Sequence, residues 1–224
     1  MEGQIEGTQA NLAADWISPW FTICFSPRTT IRKIVDTDPR HFVIGIAWVA
    51  GALAALDLEM QFNGGSSSSV LQFVTDRFSA MGPFALAGLA FALGVLGVAM
   101  LFILGYLYRW SGGVLGGTAT AVEVRAALGW TQVAGIYVTV IGVIVALLSP
   151  ESVDVQAGTL PSIWWPLVRL LLGFWVFSIS VKTIGEVHGF SAWRATMAMM
   201  LGDLVIGIVL VLGFFAVMIG RGLA

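Results

Sequence analysis

Five apolar stretches dominate the sequence, and each is long enough to cross a lipid bilayer as a helix. They lie at residues 42–62, 82–108, 127–149, 163–184 and 193–220. About 20 apolar residues span a hydrocarbon core of about 30 Å. Composition agrees, since 58% of the 224 residues are hydrophobic and only 11% are charged, whereas a soluble domain carries about 25% charged residues. The sequence therefore predicts an all-α integral membrane bundle of five transmembrane helices.

Lysine and arginine side chains give the predicted bundle an orientation. Four precede the first span, two lie between the second and third spans, and two lie between the fourth and fifth: Arg28, Arg32, Lys33, Arg40, Arg109, Arg125, Lys182 and Arg194. The other side has Arg77 and Arg221. Because positive charge is retained in the cytoplasm, we expect a cytoplasmic N-terminus and an outer C-terminus. Residues 1–15 are polar and acidic and are expected to stay in the cytoplasm.

Tryptophans lie near the predicted ends of the spans. The positions are Trp110, Trp130, Trp164, Trp165 and Trp193. An amphipathic indole ring prefers the headgroup region of the bilayer, so we expect these side chains to be interfacial anchors.

Residues 1–40 form a predicted N-terminal segment that precedes a transmembrane domain at residues 41–224. Pro27 suits the first turn of a helix, and Ile31, Ile34 and Val35 then share one apolar face. Basic side chains lie elsewhere around that helix, at Arg28, Arg32 and Lys33. Such a pattern is typical of a short amphipathic helix in the membrane surface, and we expect one over residues 27–36 on the cytoplasmic side. The alternative is an ordinary juxtamembrane segment whose basic residues only follow the positive-inside rule.

No set of residues in the sequence indicates catalysis. The two histidines, His41 and His188, lie at span ends, and none of the common hydrolase or metalloprotease motifs occurs. A single cysteine, Cys24, leaves no disulfide and no multi-cysteine metal site. The net charge of −2 gives no basic patch for nucleic acid. We therefore expect no enzyme activity, no cofactor, no metal and no nucleic-acid partner.

Three charged residues inside the predicted spans are the candidate functional residues: Arg169, Asp203 and Asp57. At 1.5 Å per residue, Arg169 lies about 10 Å below the outer boundary and Asp203 about 15 Å from the cytoplasmic boundary. Asp57 lies in the outer half. An unpaired charge at such depths costs roughly 2.5–3.5 kcal/mol, so Arg169 is expected to pair with an acid. Adjacency of the spans favours Asp203 and depth favours Asp57. One structural ion pair, or a polar path for an ion, would explain these charges.

Small residues recur every four positions in two spans. Ala47, Gly51 and Ala55 do so in the first, and Thr131, Gly135 and Thr139 in the third. Such stripes allow close approach of helices, either inside the bundle or between subunits. Thr120 and Glu123 have the spacing of a capping box, and Gly189 suits the C-terminus of a helix that ends at His188.

Three segments of the sequence together resemble one family. They are SPWFTICFSPRTTIRKIVDTDP (18–39), GGVLGGTATAVEVRAALGW (112–130) and IGEVHGFSAWRA (184–195). Their order and spacing resemble the prokaryotic branch of the Yip, or Ypt-interacting-protein, family, including its Pro-Arg-x-Thr-hydrophobic-Arg element at Pro27, Arg28, Thr30, Ile31 and Arg32. The resemblance implies five spans after a tryptophan-rich entry. It differs at 131–134, where many members have a proline and this chain has Thr-Gln-Val-Ala.

The resemblance implies a fold and topology more than an activity. Eukaryotic members act in vesicle traffic and bind Rab-type GTPases through cytoplasmic segments, which has no counterpart in prokaryotes. We therefore expect a membrane protein that shapes or organises the bilayer or scaffolds partners. Those partners are lipid, other membrane proteins or further copies of the chain. The alternative function is a small permease, ion channel or lipid scramblase that uses the polar residues inside the bundle.

Overall fold

The protein is all-α in the residues that its computed structural model describes, which are 19–62, 67–148 and 160–222. Seven helices lie in this described part, and the first, α1, covers residues 19–25. The others are α2 Pro27–Thr37, α3 Val43–Phe62, α4 Ser67–Val114, α5 Ala121–Leu148, α6 Leu160–His188 and α7 Ala192–Gly222. The predicted helical class is therefore confirmed.

Four helices in the described residues are long and apolar enough to cross a membrane. Their apolar segments are Ala87–Val114, Ala121–Val145, Leu167–His188 and Ala192–Gly220. In α3 the described apolar segment is the shorter Val43–Ala54. The side chains of residues 55–83 lie outside the described part, and so does the predicted site residue Asp57.

The first small-residue stripe packs inside the chain, against α4. A Cβ atom placed on Gly51 would lie 2.5 Å from the carbonyl oxygen of Leu93 and 2.9 Å from Cα of Gly97. A Cβ atom on Gly97 would lie 2.6 Å from the carbonyl oxygen of Ala47. The two backbones are therefore in contact, as glycine allows between membrane helices. The second stripe is mixed: Thr131 shares a hydrogen bond of 3.0 Å with Thr183 of α6, but Gly135 faces open space.

The entry segment also packs on the bundle, through aromatic side chains of α1. The Trp20 ring meets the Trp130 ring of α5 edge-on at 5.3 Å. The next residue, Phe21, stacks with Tyr137 at 6.4 Å, and the Tyr137 hydroxyl donates to the Trp20 carbonyl at 3.3 Å. Trp130 is fully buried, so its prediction as an interfacial anchor is wrong. Trp110 and Trp193 are exposed and suit that role.

Helix α2 lies at the predicted position in the sequence, but its apolar face packs on protein and not on lipid. It begins at Pro27, and its apolar side chains Ile31 and Ile34 are 0% and 2% exposed. That face packs against α5 and α6, so the protein covers the area that was expected to meet lipid. Val35 is half-buried at the edge of the same face, and Arg28 is exposed. A location of α2 at the membrane surface stays a prediction for its exposed face.

Candidate functional site

The three segments that resemble one family come together at one end of the bundle. We call this region the junction; it consists of α2, the turn 115–120 between α4 and α5, and the turn 189–191 between α6 and α7. Both turns are closed by local chemistry that the sequence predicts. The backbone N–H of Thr120 donates to Glu123 Oε2 at 2.6 Å, and the N–H of Glu123 donates to Thr120 Oγ1 at 3.4 Å, which confirms the capping box at the start of α5.

The second turn of the junction is a glycine-terminated helix end. Helix α6 ends at His188, and Gly189 follows with φ +71°, a conformation that glycine adopts without strain. The N–H of Phe190 then donates to the Gly185 carbonyl at 2.7 Å. This geometry returns the chain into α7 and places the Phe190 ring parallel to the His188 ring, 5.2 Å apart.

His188, the last residue of α6, is buried directly beside the junction. It is 3% exposed, and neither ring nitrogen has a hydrogen-bond partner within the described part of the chain. Its ring packs directly on the backbone of Gly112, near the end of α4, and of Gly117, in the turn that follows. A Cβ atom on Gly112 or on Gly117 would overlap that ring, and one on Gly117 would also lie 2.8 Å from Cζ of Phe190. These two glycines therefore leave room for the imidazole ring.

An ion pair connects α2 to the same end of α6. Arg32 donates from Nε to Glu186 Oε1 at 2.6 Å, and its Nη2 lies 2.5 Å from the same oxygen. The Glu186 side chain is 18% exposed and that of Arg32 is 62% exposed. The hydrogen bond and the charge of Glu186 raise the pKa of Arg32. Such a partly exposed pair contributes little stability, and it links α2 to α6.

The predicted site residue Asp203 makes its hydrogen bond with a residue that the sequence did not single out. The Tyr108 hydroxyl of α4 donates to Asp203 Oδ1 at 2.5 Å. Next to it, a Cβ atom on Gly202 would lie 2.6 Å from the Tyr108 ring. The close approach of α7 to α4 at Gly202 therefore brings the carboxylate to the phenol. A tyrosine near the end of an apolar span was the signal available for this partner.

Arg169 lies at a different depth from Asp203. It is half-buried in α6, about 28 Å along the helix from His188 at 1.5 Å per residue, whereas Asp203 lies about 17 Å along α7 from Ala192. Because the turn between these helices is short, the two residues are offset along the bundle. The expected pairing of Arg169 with Asp203 or Asp57 stays a prediction.

A further polar contact between helices lies near the junction. In the part of the chain that the structure describes, no three His, Cys, Asp or Glu side chains are grouped as a metal site would need. Arg125, in the first turns of α5, lies with its guanidinium carbon 4.7 Å from the centre of the Phe102 ring, which is a cation–π contact. Each of these contacts joins one helix to another.

The comparison with family models decides the relationship. The model described as the Yip1 domain matches residues 21–215, which include all of the junction. The chain belongs to the Yip1 domain family. Together with the four long apolar helices, this membership makes it a transmembrane protein of that family. No curated protein and no solved structure matches the chain.

The Tyr108–Asp203 hydrogen bond of this Yip1 domain gives a testable coupling. We expect a double-mutant cycle of Tyr108→Phe and Asp203→Asn, measured by thermal unfolding in detergent, to give a coupling of about 1 kcal/mol, as interhelical hydrogen bonds in membranes do. The matched control is Tyr106→Phe, an exposed tyrosine two positions away, which should show no coupling to Asp203→Asn. Additive losses for Tyr108 and Asp203, with coupling between Arg169→Met and Asp203→Asn instead, would contradict this assignment.

Proposed function

We propose that the chain is a non-enzymatic integral membrane protein of the prokaryotic branch of the Yip family, which shapes or organises the bilayer or scaffolds partner proteins. The observation that carries the proposal is the junction. There the three segments that resemble the family contact one another. Their residues therefore hold α2 and both turns together. A rigid end of this kind suits a protein that acts by presenting a binding surface to lipid or to partner proteins.

The surface around the junction is basic. Seven lysine and arginine side chains at this end of the bundle are exposed: Arg28, Arg32, Lys33, Arg40, Arg109, Lys182 and Arg194. Each Lys or Arg near an anionic leaflet contributes about 1 kcal/mol to membrane association. Exposed basic side chains on a helix that is itself fixed to the bundle would hold the headgroups, or an acidic partner protein, in a defined position. Lipid, other membrane proteins and further copies of the chain are the proposed partners.

The proposed topology has five spans, with α3 as the first of them. Its described apolar segment begins at Val43, on the side of the bundle where α2 lies, and α3 is in close contact with α4 through Gly51 and Gly97. The bias of lysine and arginine supports a cytoplasmic junction and an outer C-terminus in a prokaryotic cytoplasmic membrane.

The topology is tested by cysteine accessibility in intact cells. Cys24 is replaced by Ser first, although burial already raises the pKa of its thiol and slows its labelling. We expect a cysteine at Leu115 to be protected from a membrane-impermeant maleimide and a cysteine at Val155 to react. Reaction at 115 from outside would reverse the orientation, and equal protection at both positions would contradict an odd number of spans between them.

Transport is the alternative that a flux assay separates from the proposal. The polar contacts described inside the spans are local, at Tyr108–Asp203 and at Thr131–Thr183, whereas a conducting path needs a series of polar groups. In proteoliposomes we expect ion leak and labelled-lipid flip rates equal to those of protein-free vesicles, together with a changed vesicle-size distribution. The size change should diminish in Arg28→Gln/Lys33→Gln. Flux above the protein-free rate that Asp203→Asn or Arg169→Gln abolishes would overturn the proposal in favour of a transporter.

A further inference from the structure

An open groove lies beside the junction, where the end of α4 meets the following turn. It has a volume of about 520 Å³. One wall consists of Tyr106, Trp110 and Val114, which follow one another at intervals of four residues and are 62%, 46% and 61% exposed. The other side consists of Arg109 and of the turn residues Thr118 and Ala119. The groove is therefore apolar along one side and polar along the other.

The apolar wall continues away from the junction along α4. Phe102 and Val95 lie on the same side of the helix and are 45% and 49% exposed. In a span that ends at Val114, this surface runs from the headgroup region, where tyrosine and tryptophan are preferred, into the hydrocarbon. An occupant with a polar head and a long apolar tail could thus keep both parts in contact with the protein.

The polar side of the groove is positively charged. Arg109 is the charged residue among those that line it, and no carboxylate lies beside it in that lining. A guanidinium binds phosphate through two parallel N–H donors, and the Thr118 hydroxyl is a further donor. The lining contains no carboxylate that could pair with an ammonium group, so we expect a headgroup with a phosphate and no amine to match the groove better than a zwitterionic one.

We propose that this groove is a binding site for an anionic phospholipid, with the phosphate at Arg109 and Thr118 and an acyl chain along Tyr106 and Trp110. The proposal goes beyond the function proposed above and does not depend on it, because it needs only that the chain spans a membrane. A transporter of this architecture would carry the same site.

The test uses nanodiscs that contain the full chain and tail-brominated lipids, which quench tryptophan on contact. The quenching that is lost in Trp110→Phe reports on the groove. We expect brominated phosphatidylglycerol to quench this component at about fivefold lower mole fraction than brominated phosphatidylcholine does, the ratio that corresponds to about 1 kcal/mol. Arg109→Gln should abolish the preference, and Arg109→Lys should keep part of it because the charge remains.

Arg194→Gln is the matched control, since it removes one exposed positive charge from the same end of the bundle without touching the groove. It should leave the preference unchanged. Equal loss in Arg194→Gln would show only general attraction to a basic surface and would overturn the site, as would equal quenching by both lipids in the unmodified protein. Removal of the preference by millimolar inorganic phosphate would assign the groove to a soluble phosphate compound instead of a lipid.

Discussion

The contact of His188 with Gly112 and Gly117 is the constraint on which the junction end of the bundle depends. Because neither glycine has a Cβ atom, the turn after α4 can lie directly on the imidazole at the end of α6. That contact sets the relative height of α4 and α6. Glu186, half a turn before His188, is then placed for Arg32 of α2, and α7 leaves the second turn so that Gly202 meets Tyr108. One close approach is thus linked to two further contacts.

Close backbone contact of this kind contributes much of the stability of helix packing in a membrane bundle. Lipid tails are as apolar as leucine side chains, so burial of apolar area adds little drive for helices to associate within the bilayer. Backbone contact and a few polar pairs supply it instead. In this chain Gly51 and Gly97 bring α3 onto α4, Thr131 bonds Thr183 between α5 and α6, and Tyr108 bonds Asp203 between α4 and α7. The entry segment joins through Trp20 and Trp130 at the edge of the bundle.

Features that depend on local composition could be predicted from the sequence. Apolar length gave the long helices, Thr120 and Glu123 gave the start of α5, and Gly189 gave the end of α6. Partners across the bundle could not, because apolar periodicity does not say which face of a helix meets which neighbour. Trp130 therefore was expected at the lipid interface and is buried, and the face of Ile31 and Ile34 was expected on lipid and lies on α5 and α6. For Asp203, sequence adjacency of α6 and α7 favoured Arg169, which stays a prediction, whereas the hydrogen bond to Tyr108 of α4 was not predicted.

The central claim, that the His188 ring fills the space left by two glycines, is tested most directly by alanine at neighbouring positions of α4. Gly112→Ala would place a Cβ atom into the buried ring, whereas Gly113→Ala would place one in open space. Thermal unfolding in detergent should therefore show Gly112→Ala destabilised by about 1–3 kcal/mol, as overpacking typically is. Gly113→Ala should be unchanged or stabilised by up to about 1 kcal/mol through its helix propensity. Equal stability of the two variants would contradict the account.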